Sequence, residues 1–260
     1  MNQYEIYAEC FPQVPLTEMA FNELCGGCTA FGDDRGFALV KGNEIRLVCV
    51  REIYRNKGIG SELINKAEEH IRENGFDRAV LGGFSSGLFI GVPVSSFTFW
   101  EKRGYERTGS CAEMVRELSG FRASDYDIPL PEGISFAFHK TDERLRKAVA
   151  EVEEEWVQYF NDCEVFCGYS GNEIASFCII GDDETCMLSD GRRVGSVGCV
   201  GTVPKFRRQG IGLNMVAQAM ELLKERGCER CFTHYTNVYN WYARLGCEVF
   251  LWETFAQKQL

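Results

Sequence analysis

RNKGIGSEL, residues Arg55–Leu63, and RRQGIGLNM, residues Arg207–Met215, are two spellings of one phrase in a chain of 260 residues. Both follow a run that reads as a β-strand, Ile45–Val50 and Val194–Val203. Both open an amphipathic helix that a glycine ends: Ile59–Asn74 before Gly75, and Ile211–Arg226 before Gly227. The shared pattern is R-x-x-G-x-G, with Arg55, Gly58 and Gly60 in the first copy and Arg207, Gly210 and Gly212 in the second. A helix start offers free N–H groups and the positive end of the helix dipole, so it attracts anions. Glycine lets a ligand come close to the backbone. The neighbouring cations, Arg55 and Lys57 or Lys205, Arg207 and Arg208, add charge-assisted bonds, and Gln209 joins the expected cofactor-binding residues. The physical reading is a cradle for a diphosphate, present twice. A dinucleotide fingerprint would need glycine where Leu63 and Met215 stand, and neither copy has the Lys-Ser/Thr of a P-loop.

Outward from the phrases, the halves follow one order. In the second half, strands are expected at Ile134–His139, Glu164–Tyr169, Ile174–Ile180, Arg230–Tyr235 and Glu248–Thr254. Helices are expected over Asp142–Phe160 and about Val238–Leu245. The first half compresses its beginning: a helix at Leu16–Leu24, strands at Thr29–Phe31, Gly36–Val40 and Arg78–Leu81, and a short helix ending at Gly104. Its surplus length lies in GGFSSGLFIGVPVSS (82–96), which predicts differently shaped clefts. The stretch 119–132 lacks either period and holds two prolines, Pro129 and Pro131. It is the expected linker between domains at 1–118 and 133–260.

Composition narrows the function. The formal net charge of −10 disfavours a nucleic-acid binder, which needs a basic face. No run approaches the ~20 apolar residues of a membrane helix, and MNQYEIYAEC has neither a basic start nor an apolar core, so a cytoplasmic protein is expected. In that compartment the thirteen cysteines read as thiols. Two CxxC pairs, Cys25/Cys28 and Cys228/Cys231, raise a zinc site, but their setting favours small apolar core residues, and no metal is expected.

The segments VCVREIYRNKGIGSELINKAEEH and VGTVPKFRRQGIGLNMVAQAMEL resemble the acetyl-CoA-binding motif of the GCN5-related N-acetyltransferase (GNAT) family. FTFWEKRGYE and VYNWYARLGCE resemble its second motif, a short helix ending in glycine. Both motifs appear twice, in order. The resemblance implies an α/β fold of two tandem GNAT-like domains, each a mixed, splayed sheet flanked by helices. It implies acetyl transfer from acetyl-CoA to an amine of a small molecule or peptide, by direct attack and without a metal. Main-chain groups around Val48, Val50, Val200, Gly201 and Thr202 would hold pantetheine. The N–H groups of Gly58, Ile59 and Gly60, and of Gly210, Ile211 and Gly212, would hold the diphosphate. Asn237 or Asn240 would contact pantetheine.

The family often places a tyrosine four residues before the late glycine, to protonate the departing thiolate. Here Tyr242 stands there in the second half and Trp100 in the first, and an indole N–H is no acid near neutral pH. The second half is therefore the expected catalytic domain and the first a degenerate one. Candidate bases are Glu155, Asp190, His234 or a water. The alternative is a non-catalytic CoA-binding sensor. The acceptor and the oligomeric state are not legible.

Overall fold

The computed structural model describes residues 2–83, 91–161, 163–182 and 188–260. The chain forms two compact units. The first comprises the described residues of Met1–Ala112, Cys186–Gly191 and Phe250–Leu260; the second comprises those of Glu113–Thr185 and Arg192–Val249.

The first unit opens with helices α1 (Gln3–Cys10) and α2 (Glu18–Leu24). The antiparallel strands β1 (Thr29–Asp33), β2 (Gly36–Lys41) and β3 (Glu44–Val50) follow, then α3 (Ile59–Glu73), β4 (Arg78–Leu81), the two-residue β5 (Val92–Pro93), α4 (Phe97–Glu101) and β6 (Glu106–Glu117). α3 buries Leu63, Ile64, Ala67 and Ile71 against the sheet, positions three and four apart that make one face. The second unit holds β7 (Ile134–His139), α5 (Glu143–Ala150), β8 (Glu164–Ser170), β9 (Glu173–Gly181), β10 (Val194–Thr202), α6 (Ile211–Glu225), β11 (Arg230–Thr236), α7 (Tyr239–Ala243) and the start of β12 (Glu248–Gln259). Strand order is β1-β2-β3-β4-β12-β6 in the first unit and β6-β11-β10-β9-β8-β7 in the second.

Two strands therefore serve differently from the boundaries read at 118 and 133. From Phe250 onward β12 belongs to the first unit, pairing antiparallel with β4 from Ala256↔Leu81 to Gln259↔Arg78. From Glu113 onward β6 belongs to the second, beside β11. Alternation of polar and apolar residues fixes which face of a strand is buried, but not which edge it joins.

Two further differences have local causes. The Asn2 side chain accepts from the Glu5 N–H and nucleates α1, a helix not expected from the apolar pattern. The helix expected over Asp142–Phe160 ends at Ala150 and resumes as a 3-10 segment, Glu154–Tyr159. Carboxylates at Glu151, Glu153, Glu154 and Glu155 oppose the negative end of a helix dipole. The break moves Glu154 and Glu155 to the start of the next segment, where the dipole favours them.

The stretch 119–132 has the irregular backbone expected, but it is docked on the second unit. Phe121 is buried and its carbonyl accepts from Lys224 Nζ at 2.6 Å; the Tyr126 hydroxyl donates to the Leu245 carbonyl at 2.9 Å; Asn214 Nδ2 donates to the Ile128 carbonyl at 3.3 Å. Of the 82–96 surplus, residues 84–90 lie outside the described residues. Among the described residues no helix is long and apolar enough to cross a membrane.

Candidate functional site

In each unit two neighbouring parallel strands part company. Among the described residues β3 and β4 pair only at Glu44↔Val80, yet β3 runs on to Val50. β10 and β11 pair from Val194↔Arg230 to Ser196↔Phe232 and then separate. Beyond that point β10 is bulged against β9 between Gly198 and Gly201, with Cys199 at φ 46°, a costly conformation for a residue with a Cβ. Among the described residues, each split leaves one strand without a ladder partner on its splayed side, and Val48 and Val50, or Val200–Thr202, lie along that side while pairing with β2 or β9 on the other.

At the end of each split the repeated phrase takes the same path. Asn56 and Arg208 have φ of 60° and 61°; Gly58 and Gly210, the N-caps of α3 and α6, have 85° and 81°. Neither helix has a side-chain cap; at Gly58 the first N–H groups face a ligand or solvent, while the Pro129 carbonyl lies against Gly210. Arg55 and Arg207 do the same job in both copies. Each donates Nε, at 3.0 Å, to the carbonyl five residues earlier, of Val50 or Thr202, and so pins the turn to its strand. Lys57 stands exposed 5.6 Å over the Tyr54 ring, and Gln209 Nε2 donates to the Lys205 carbonyl. Ile59 and Ile211 are buried as the first apolar anchors of their helices.

The second motif is repeated in three dimensions too. Phe99 and Trp100 meet edge to face at 84°, Trp241 and Tyr242 at 89°, and Gly104 and Gly246 end the helices at φ 85° and 72°. In the first unit Arg103 stacks on Phe99 with 3.6 Å to the ring centroid and donates to the Phe99 carbonyl and Ser61 hydroxyl, tying α4 to the start of α3. Gly60 lets Phe99 approach: a methyl there would lie 3.0 Å from Cζ.

The first unit's split opens into a cavity of about 510 Å³. Val48, Val50, Arg55, Asn56 and Gly60 line one side and Val92, Phe99 and Trp100 another, while Cys10 and Gln13 from the chain around α1 close it. Sequence reasoning missed Cys10, Phe99 and Arg103. Only the Asn2–Glu5 capping pattern could have flagged the helix that delivers Cys10.

The second unit differs at the same places. Tyr242 is only 5% exposed, and burial among the thiols of Cys178, Cys231, Cys247 and Cys199 pushes its phenol well above the ordinary tyrosine range. The phenol therefore keeps its proton at neutral pH, and among the described residues its hydroxyl makes no hydrogen bond. His234 Nδ1 lies 2.8 Å from Oε2 of the fully buried Glu113, whose carboxylate also accepts the Tyr235 N–H. Tyr235, within β11, has φ 53°. Of the other candidate bases, Glu155 is exposed on the 3-10 segment and Asp190 packs with the first unit. Asn237 is exposed in the turn before α7. Cys231 faces the core with its thiol raised by burial, as is Cys228's, and neither CxxC pair makes a metal knuckle among the described residues.

The two glycine turns also differ in cover. Nothing lies within 4 Å of where a Cβ on Gly58 would be, whereas a Cβ on Gly210 would overlap the Pro129 carbonyl. Gly58→Ala therefore costs only the left-handed strain of ~1–2 kcal/mol. Gly210→Ala must also displace the docked 128–129 segment and should cost ~1–3 kcal/mol more. Urea unfolding of the two variants measures the gap; equal losses would mean that the segment does not hold against the turn in solution.

The acetyltransferase (GNAT) family model matches residues 3–87 and 133–247. Among solved structures, the glucosamine N-acetyltransferase region of a fungal multi-domain GH3 β-N-acetylglucosaminidase superposes with a TM-score of 0.75 at 22% identity, over 98% of this chain and 36% of that one. This chain thus spans little more than a third of that protein. A GCN5-related N-acetyltransferase from Sphaerobacter thermophilus gives 0.61 at 17% identity, over 86% and 76%. A tandem GNAT protein from the clavulanic acid biosynthesis pathway gives 0.59 at 14%, over 86% and 78%. At these identities the likeness is one of fold. No curated protein matches the chain.

Proposed function

Because the chain belongs to the acetyltransferase (GNAT) family, we propose that it is an acetyl-CoA-dependent N-acetyltransferase acting on an amine of a small molecule or peptide, with a donor site in each unit and amine chemistry in the second. The observation that carries this reading is the repeated combination of a parted parallel strand pair and an uncapped helix start with glycine in the left-handed region.

The residues fit the donor. The N–H groups at Gly58–Gly60 suit a diphosphate, those at Gly210–Gly212 would do so once the docked Pro129 carbonyl moves off Gly210, and the splayed edges of Val48–Val50 and Val200–Thr202, apart from the Val50 and Thr202 carbonyls that Arg55 and Arg207 occupy, suit the amides of a pantetheine arm. Acetyl-CoA supplies an acetyl group activated as a thioester. N–H groups of the parted β10 stretch would stabilise charge on the carbonyl oxygen. Tyr242, held protonated, would deliver a proton to the leaving sulfur. His234, oriented by Glu113, stands where β11 has left β10 and could take the proton of an incoming ammonium. In the first unit Trp100 cannot be the acid, so that cleft is read as a donor-binding site without this amine chemistry. The protein is proposed to work in a reducing compartment, which would keep its cysteines as thiols.

Titration calorimetry with acetyl-CoA should resolve two binding events per chain. Gly58→Asp, which sets a carboxylate in the anion cradle, should abolish one, and Gly210→Asp the other. A silent titration of the wild-type chain would remove the reading altogether. Turnover is then sought with glucosamine as the first acceptor, since the fungal region that shares the fold is described by that activity. A wider amine panel with mass detection follows.

A further inference from the structure

The first unit's cavity has no acid where the second has Tyr242, yet it holds a thiol. Cys10 comes from the last residue of α1, outside both repeated motifs. Its Sγ lies 3.4 Å from the Val50 carbonyl, on the parted strand, and 3.7 Å from Arg55 Nη2. Arg55 is itself fixed, because its Nε is bound to that same carbonyl. On the other side stands Cys49, fully buried in β3. Two thiols, a guanidinium and a carbonyl thus converge where the strand gives way to the phosphate turn. Hydrogen bonding from Cys49 and then from Arg55 outweighs partial burial and brings the Cys10 thiol down to about 7. Burial holds Cys49 well above the ordinary thiol range, so Cys49 stays a donor to its neighbour.

The missing acid matters for amines and not for thiols. An amine that attacks a thioester must shed a proton, and the expelled thiolate gains by receiving one. A thiolate that attacks a thioester arrives without its proton and expels another thiolate of similar basicity, so no acid is required.

We propose that Cys10 is an acyl acceptor: the first unit exchanges the acetyl group of acetyl-CoA onto the Cys10 sulfur. A carbon–sulfur bond forms from Cys10 Sγ to the acetyl carbon, and the carbon–sulfur bond to CoA breaks. The electron pair leaves with the CoA sulfur, and the proton released when Cys10 ionises goes to solvent. No oxidant or reductant takes part. The inference rests on the reading that this cleft binds acetyl-CoA.

The full-length chain is incubated with acetyl-CoA and no amine, then analysed by intact and peptide mass spectrometry. The expected result is one added acetyl group on Cys10, removed by neutral hydroxylamine as a thioester is. A short-lived adduct is caught by a second measurement, the exchange of isotope-labelled CoA into unlabelled acetyl-CoA, which requires a reversible transfer to the protein. Exchange should be catalysed by the wild-type chain and fall at least about tenfold in Cys10→Ser, since a serine hydroxyl is barely ionised at neutral pH. If calorimetry shows acetyl-CoA bound in the Gly58-dependent site while neither adduct nor exchange appears, the acceptor role is overturned and the donor site stands. The same follows if exchange persists in Cys10→Ser. If the Gly58-dependent site binds nothing, both fall together.

Discussion

Lys258→Met should lower the melting temperature of the chain by roughly 6–12 °C, from a loss of about 3 kcal/mol, at about 2–4 °C per kcal/mol for a chain of this size. Lys258 lies near the end of β12, in the portion that completes the first unit. Its Nζ sits 2.8 Å from both oxygens of Glu68, which is 4% exposed on the sheet-facing side of α3. The Tyr105 hydroxyl donates to the same carboxylate at 3.0 Å, and Arg72 reaches it only at 4.0 Å. Removing the ammonium leaves a buried carboxylate with one neutral donor and a distant cation, which is the costly case for a buried pair. Lys258 is about a quarter exposed, so the loss belongs at the low end of the usual range. Glu68→Gln in the same chain should recover much of it, and the double-mutant cycle isolates the pair. A shift in Lys258→Met below about 1 °C would mean that the last strand is not docked on α3 in solution. Because α3 begins at the Gly58 turn, the loss should also weaken acetyl-CoA binding in the first unit.

Tyr242→Phe should leave acetyl-CoA affinity nearly unchanged and lower kcat about a hundredfold or more with any acceptor the screen returns, the usual worth of a positioned acid. The change deletes one oxygen that makes no hydrogen bond among the described residues, so stability should hold. The pH behaviour separates this role from simple packing. Burial raises the phenol, so the protonated form persists through neutral and mildly alkaline solution. The wild-type rate should therefore not decline through loss of this proton as pH rises to about 9, below even the ordinary tyrosine value. If the phenylalanine variant turns over as the wild type does, the proton reaches sulfur by another route and Tyr242 is a core aromatic.

Much of this site could be read without coordinates. Repetition made the phrase legible: a backbone route requiring left-handed residues at Asn56 and Gly58 recurs at Arg208 and Gly210, and the glycines announce it. The aromatic pair before the late glycine announced the second motif. The partners that close the site were not legible. Cys10 reaches the cavity from a helix set by a polar cap, Pro129 lies on Gly210 from a stretch with no period, and Glu113 meets His234 across strands far apart in the sequence.

What the chain determined alone was local: where strands and helices run, where they turn, and which two turns present bare amide hydrogens. These depend on neighbours within a few residues, through propensity, capping and the torsional freedom of glycine. Tertiary structure decided which sheet the last strand completes, which thiol meets Arg55, which carboxylate meets His234, and which glycine turn lies open. Each of those is a contact between distant residues, set by shape and by the pairing of buried charge, and no local pattern encodes it.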